Sequence, residues 1–371
     1  MSTPPPSALR ELPTPALLVD VTRLERNIAV MADRYATAGL ALRPHVKTSK
    51  CLEVVRRQQA AGAVGFTCST AAEVSWLRAN GVGNLLWAHT PVGPAKTAFV
   101  VAAARDGHLT VGLDSEEAAE PLSRAAQAAG VTVPFLLEVN TGHGRAGVEP
   151  ADAHVRARRM AELPGLALRG VFTHEGHVAR HVGDRAALTE AGRAAGDLLA
   201  AVGAALRQDG HQIDIVSVGS TPGATSAPFA PGVTEARPGT YVYFDANQTR
   251  LGSATLDDCA LTVLATVVST QRRGTAIIDA GLKAMSSDTI ATAGSLGIVC
   301  DPAGRPLEGV AFSDGNEEHG FLTGPRAHTL AVGDQVRVIP NHACGTVNMF
   351  HRLYALDQGG VRAEWAISAR H

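Results

Sequence analysis

The chain has 371 residues, with 33 Lys and Arg against 35 Asp and Glu and a formal net charge of −2. With no basic stripe and no acidic tail, that balance argues against nucleic acid or a membrane surface as partner. Five scattered cysteines without CxxC spacing argue against a disulfide framework, the N-terminus has no apolar leader, and no stretch approaches the roughly 20 apolar residues that span a bilayer, so a reducing, cytoplasmic location is expected.

The Pro-rich first dozen residues, MSTPPPSALREL, are expected to be flexible. TPALLVD (14–20) then reads as a lone strand. Eight short apolar runs follow: LALRPHVK (40–47), VGFTCS (64–69), NLLWAH (84–89), LTVGLD (109–114), PFLLEVN (134–140), LRGVFTHEG (168–176), IDIVSVGS (213–220) and ARPGTYVYFD (236–245). Between them lie Ala-rich segments with helical spacing of apolar residues, such as DRAALTEAGRAAGDLLAAVGAALRQ. Strands alternating with helices in this number predict an α/β chain built on a (β/α)₈ TIM-type barrel, with a doubly wound open sheet as the alternative. After residue 246 the texture changes to strands joined by Gly, Asp and Asn turns, as in HTLAVGDQVRVIPNHAC and GGVRAEWAIS. The expected organisation is therefore an N-terminal segment (1–21) whose strand joins the β domain, a barrel (22–245), and a mostly β C-terminal domain (246–371).

Catalytic groups of a barrel sit at the C-terminal ends of its strands. Those ends carry Lys47, Asn140 with His143 and Arg145, His174 and His177, Gly219-Ser220-Thr221 and Gly239-Thr240-Tyr241. If Arg43, His45 and Lys47 alternate along one strand, they share a face. A lysine aimed into a water-poor cavity becomes a usable nucleophile, whereas at a surface turn it stays solvated. GSTPGATS and RPGTY end the seventh and eighth runs, where barrels often bind phosphate. A phosphate site together with a Schiff-base lysine implies pyridoxal 5′-phosphate, PLP. Two ordinary glycine turns would look the same.

The motifs RPHVKTSK, EVNTGHGRAGV, THEGH, VGSTP, RPGTYVYFD, DAGLKAMSSD, EEHG and PNHACGTVN, in that order from about residue 12 to the C-terminus, resemble the D-threonine aldolase and D-serine dehydratase family. These are fold-type III PLP enzymes related to alanine racemase. The resemblance implies that Lys47 is the Schiff-base lysine and that Arg145 faces the pyridine nitrogen. It also implies that Gly219, Ser220, Thr221, Gly239, Thr240 and Tyr241 hold the cofactor, and that His45 lies in the floor of the site. His174 and His177 are candidate acid/base groups. The HEGH spacing is not the HExxH of zinc proteases.

His342 and Cys344 in PNHAC, two apart, would face one side of a strand. An imidazole and a thiolate together suit Zn²⁺, although a buried Cys beside a structural His reads the same way. The resemblance implies a divalent metal here, most simply Zn²⁺, with Mn²⁺ or Mg²⁺ as alternatives. A lyase acting on a D-3-hydroxy amino acid is expected, as a homodimer. Cys344 resembles the dehydratase branch, so β-elimination to a 2-oxo acid and ammonia is preferred over retro-aldol cleavage to glycine and an aldehyde. A PLP-dependent racemase is the third reading.

Overall fold

The computed structural model describes residues 8–288, 290 and 294–370. The chain forms two compact units. One takes the chain up to Val30, then Thr48–Arg57 and Thr240–Arg370; the other takes Met31–Lys47 and Gln58–Gly239. The expected division at residues 22 and 246 thus stands beside an interleaved one.

The first strand, β1 (Ala16–Asp20), belongs to the strand-rich unit. The next eight build the other unit: β2 (Ala41–Leu42), β3 (Phe66–Cys68), β4 (Leu85–Trp87), β5 (Leu109–Leu113), β6 (Val133–Glu138), β7 (Leu166–Phe172), β8 (Ile215–Val218) and β9 (Glu235–Ala236). They are ordered β2-β9-β8-β7-β6-β5-β4-β3, each pair parallel. A parallel bridge between His45 and Thr67 ties the continuation of β2 to β3 and closes the ring. This is the expected TIM-type barrel. β3 and β4 are buried at every position, as in a parallel sheet covered on both faces. Two of the helices between the strands begin at a side-chain cap: Thr70 accepts from the Glu73 amide and Asp184 from the Ala187 amide.

Two barrel strands are shorter than expected. β2 stops at Leu42, so Arg43, His45 and Lys47 do not alternate along one strand. Pro44 cannot donate to a ladder, and the chain turns into a 3₁₀ segment at Val46–Thr48. Likewise β9 ends at Ala236 because Pro238 and Gly239 follow, and residues 240–245 form a 3₁₀ turn and the cap of a short helix, Ala246–Arg250.

A buried polar network joins the first and last two strands of the barrel. Arg43 Nε donates to Glu235 Oε2 at 2.7 Å, and Ser217 Oγ donates to Glu235 Oε1 at 2.8 Å. Arg237 Nε donates to Ser217 Oγ at 2.8 Å, and its Nη2 reaches the Thr173 carbonyl. Arg43 and Glu235 are both buried.

The strand-rich unit continues with β10 (Leu261–Ser269), β11 (Thr275–Ile278), β12 (Gly297–Cys300), β13 (Ala311–Gly315), β14 (Gly320–Thr323), β15 (Gln335–Pro340), β16 (Arg352–Asp357) and β17 (Gly360–Ala366). The main path is β13-β14-β11-β10-β1-β16-β17, with β15 pairing β10 and β12. β1 is antiparallel to β10 and parallel to β16. Its alternate residues Ala16 and Leu18 pack with Leu264, Tyr354 and Leu356. Within the first dozen residues, expected to be flexible, Leu9–Glu11 form a 3₁₀ turn and Leu12 is buried, whereas residues 1–7 lie outside the described residues. No helix among the described residues is long and apolar enough to cross a membrane.

Removing one partner of a buried ion pair leaves the other charge uncompensated, at a cost of about 3–5 kcal/mol. Glu235→Ala should lower unfolding free energy by about that amount in urea titrations, and Glu235→Gln, which keeps an acceptor, by less. A loss under about 1 kcal/mol for Glu235→Ala would contradict the role assigned to this pair.

Candidate active site

Within the barrel unit, polar groups gather after β2, β6, β7 and β8. Lys47 lies in the turn after β2. Its backbone N–H approaches His45 Nδ1 at 3.4 Å, and His45 Nε2 lies 3.3 Å from Ser69 Oγ. After β6, Asn140 builds the loop that carries Arg145. Its Oδ1 accepts the amides of Gly142 and Gly144 at 3.1 and 3.0 Å. Both glycines have positive φ, +122° and +68°, which explains the Gly-His-Gly spacing.

Arg145 is half exposed, with its Nη2 4.0 Å from Glu138 Oε1. Glu138 is buried, and burial raises its pKa against the opposing charge of Arg145. A small polar cleft is lined by Glu138, Asn140, His143, Arg145, Thr173 and His174. The His143 and His174 rings meet edge to face with centroids 5.3 Å apart.

His174 Nδ1 bonds the Gly219 carbonyl. A carbonyl only accepts, so Nδ1 carries the proton and Nε2 is the acceptor. Burial, and then the charge of Lys47, push the His174 pKa down to about 3. Burial lowers His143 and His177 as well. The Nδ1 atoms of both are buried without a partner among the described residues.

The GSTP turn after β8 rests on Glu175, which is wholly buried. Glu175 Oε2 accepts the Gly219 amide at 2.9 Å. Both backbone groups of Gly219 are therefore engaged, and an anion would have to be met by the residues that follow. Ser220 Oγ accepts the Gly223 amide at 3.0 Å, while the buried Thr221 Oγ1 has no partner among the described residues. An orphaned buried hydroxyl in a small-residue turn fits a phosphate group. Gly239 ends the barrel unit, and Thr240 and the wholly buried Tyr241 open the last segment of the other.

In the strand-rich unit, PNHAC is not a strand. β15 ends at Pro340, His342 is the N-cap of the helix Ala343–Met349, and Cys344 sits in its first turn. The two side chains are still neighbours, because the helix bends the chain back beside its cap. His342 Nδ1 bonds Asp288. Burial works against charge on His342, yet Cys344 and Asp288 outweigh it and push the pKa up to about 11. Cys344 Sγ lies 3.0 Å from Thr48 Oγ1 and 3.6 Å from Thr240 Oγ1.

An imidazole beside a sulfur, with its second nitrogen on a carboxylate, is a donor set that fits Zn²⁺. Among the described residues no group of three or more His, Cys, Asp and Glu forms a ready metal cage, so the pair would leave positions open. Glu138, Thr48, Asp245 and Asp288 also belong to these surroundings and carry little signal in the sequence: Asp288 closes the DAGLKAMSSD segment and Asp245 the RPGTYVYFD segment.

Residues 19–247 match the family model "Alanine racemase, N-terminal domain" and residues 260–356 the model "Putative serine dehydratase domain". The chain is 38% identical to D-threo-3-hydroxyaspartate dehydratase of Delftia sp. (strain HT23), over 96% of this chain and 97% of that one. It is 32% identical to D-threonine aldolase of Arthrobacter sp., over 100% and 97%. The solved Delftia dehydratase superposes with a TM-score of 0.91 at 35% identity, covering 97% of this chain and 99% of that one. A variant of that dehydratase has also been solved in a metal-free form. The barrel with its strand-rich unit, the ordered motifs and these matches together place the chain in the D-threonine aldolase and D-serine dehydratase family of alanine racemase-like lyases, enzymes of D-3-hydroxy amino acids.

Proposed function

We propose that the protein is a PLP- and divalent-metal-dependent lyase that dehydrates a D-3-hydroxy amino acid to a 2-oxo acid and ammonia. The observation that carries this reading is the His342–Cys344 pair, with the imidazole braced by Asp288. When bound, PLP supplies an electron sink for charge developing at the substrate α-carbon, and a divalent ion, Zn²⁺ by the softness of the sulfur donor, polarises the β-hydroxyl.

The residues of the chain do the rest. Lys47 anchors the cofactor through its amine, and as a free amine Nζ takes the α-proton. Thr221 and Ser220 hold the phosphate, with Gly239, Thr240 and Tyr241 completing that contact. Arg145, restrained by Glu138, would be the cation beside the ring nitrogen of the cofactor, where a permanent charge would keep that nitrogen unprotonated. His45 supports the Lys47 turn from the floor. His174 is neutral near pH 7 and acts as an acceptor, so it orients substrate or takes a proton rather than donating one. His177 lines the same side.

Elimination breaks the Cα–H bond and sends its proton to Lys47, then breaks the Cβ–O bond; the departing hydroxide takes up one proton, which protonated Lys47 can return, and leaves as water. The enamine so formed tautomerises to an imine, which water hydrolyses to the 2-oxo acid and ammonia. Retro-aldol cleavage is the second reading, favoured by the full-length similarity to D-threonine aldolase. A homodimer in the cytoplasm completes the proposal; the compartment is in keeping with five cysteines that form no disulfide.

Purified enzyme given D- and L-serine and D- and L-threonine should form 2-oxo acid from a D-isomer only, and chelation should abolish turnover. Glycine plus aldehyde would replace dehydration with the aldolase reading, and an inverted amino acid would replace it with a racemase.

Borohydride treatment should fix the cofactor covalently to Lys47 and to nothing in Lys47→Ala, read by peptide mass. Cofactor fixed on another lysine of that variant would remove Lys47 from its role.

The His174 imidazole titrates near 6.5 when unfolded and at about 3 when folded. Between these values the unfolded chain binds the extra proton, so stability is fully present above pH 6.5 and falls as the pH drops toward 3. From pH 6.5 down to about 4.5, Tm should therefore fall more steeply for wild type than for His174→Gln. Equal slopes would mean that His174 is not held neutral.

A further inference from the structure

The helix Ala343–Met349 begins at His342 and carries Cys344 in its first turn. Between these two residues lies one backbone amide, that of Ala343. It donates to Asp245 Oδ2 at 2.9 Å. Asp245 is wholly buried, and its Oδ1 accepts the Gln248 amide at 2.9 Å, capping the helix Ala246–Arg250. The same short helix braces the motif twice more. The Asn247 amide donates to the carbonyl of Asn341, the residue before His342, at 3.1 Å. Asn247 Nδ2 donates to the carbonyl of Asp288, whose carboxylate holds the His342 ring, at 3.3 Å.

On the far side, Gly345 packs against Ser286. A Cβ on Gly345 would lie 2.5 Å from Ser286 Oγ, so the helix is docked too closely there for any side chain. The motif is thus gripped from two directions within the strand-rich unit. A neutral Asn or Ser would cap the helix Ala246–Arg250 nearly as well and would be cheaper to bury than a carboxylate. A buried carboxylate with one oxygen on the Ala343 amide, between two metal-ligand candidates, is accounted for if it holds those two side chains for a cation.

We propose that Asp245 is a positioning residue for the divalent ion, fixing the backbone between His342 and Cys344 so that imidazole and sulfur are held as a pair. This rests on the metal reading of His342 and Cys344 given above.

The test uses the full chain stripped of metal by a chelator, with Zn²⁺ affinity measured by competition against a chromophoric chelator and the sulfur-to-Co²⁺ charge-transfer band recorded in parallel. Outer groups around metal ligands are worth roughly 10–100-fold in affinity. Asp245→Asn should weaken Zn²⁺ by that factor and shift the Co²⁺ band. Asp279→Asn removes another carboxylate that accepts a backbone amide in the same unit, that of Thr266, and should lower Tm without changing Zn²⁺ affinity.

If Asp245→Asn binds Zn²⁺ within about twofold of wild type while His342→Ala has lost the ion, the positioning role is overturned and the metal reading stands. If wild type and His342→Ala bind Zn²⁺ alike, the metal reading itself fails and the proposal goes with it. Should Asp245→Asn not fold, amide exchange in the wild type decides. Zn²⁺ should slow exchange of the Ala343 amide by about tenfold or more, and an unchanged rate overturns the proposal.

Discussion

A backbone amide at the end of a strand has no ladder partner, and if it is buried something must accept from it. At both functional turns of this chain the acceptor is a buried carboxylate. Glu175 takes the amide of Gly219 after β8, and Asp245 takes the amide of Ala343 after β15. A carboxylate suits this work because it has two oxygens on a short stem and forms charge-assisted bonds stronger than neutral ones. Asp245 uses the second oxygen to cap a helix. Glu175 leaves Oε1 without a partner among the described residues, and the His174 ring holds the other face of Gly219 through its carbonyl. The rest of each turn follows from these two bonds. The His174 tautomer is fixed by the Gly219 carbonyl, and the start of the Cys344 helix is fixed by the Ala343 amide.

Histidine is used in opposite charge states in the two units. In the barrel, burial and the charges of Lys47, Arg145 and Arg180 keep His174, His143 and His177 neutral. Neutral imidazoles keep a lone pair for a substrate hydrogen bond or a proton. In the strand-rich unit, Cys344 and Asp288 hold His342 positive against its burial. The proposed metal site therefore lies where the surroundings of an imidazole favour positive charge.

The barrel was legible because its signal is repeated. Each short run of apolar residues is followed by an Ala-rich helix, and an error in one unit does not disturb the next. The ends of β6 and β7, with Arg145 and His174 in the loops that follow, were legible for the same reason. The strand boundaries after Leu42 and Ala236 were misjudged because apolar residues continue past the prolines that stop the ladder. PNHAC was misjudged as strand because HxC spacing is the same whether the residues alternate on a strand or turn through a cap into a helix. Buried carboxylates were the least legible. In sequence an Asp or Glu in a loop looks solvated, and only the fold shows that Asp245, Glu175 and Glu138 are shielded.

The thiols illustrate how burial separates structural from functional chemistry. A thiol reacts or ligates as thiolate, which burial disfavours. Cys51 and Cys259 are pushed far above the usual thiol range by burial, and Cys300 to about 11. Cys259 and Cys300 pack with Ala246 and Ile339 as small apolar side chains. Cys344 differs on each count that matters. It is the one cysteine of the five that is not buried, it has the positive His342 as neighbour, and two threonine hydroxyls lie beside its sulfur. Its sulfur thus has polar neighbours where the other four thiols pack or lie buried. Of the five cysteines, Cys344 alone is both part-exposed and beside a histidine whose ring is held by a carboxylate, which is why the metal proposal rests on it.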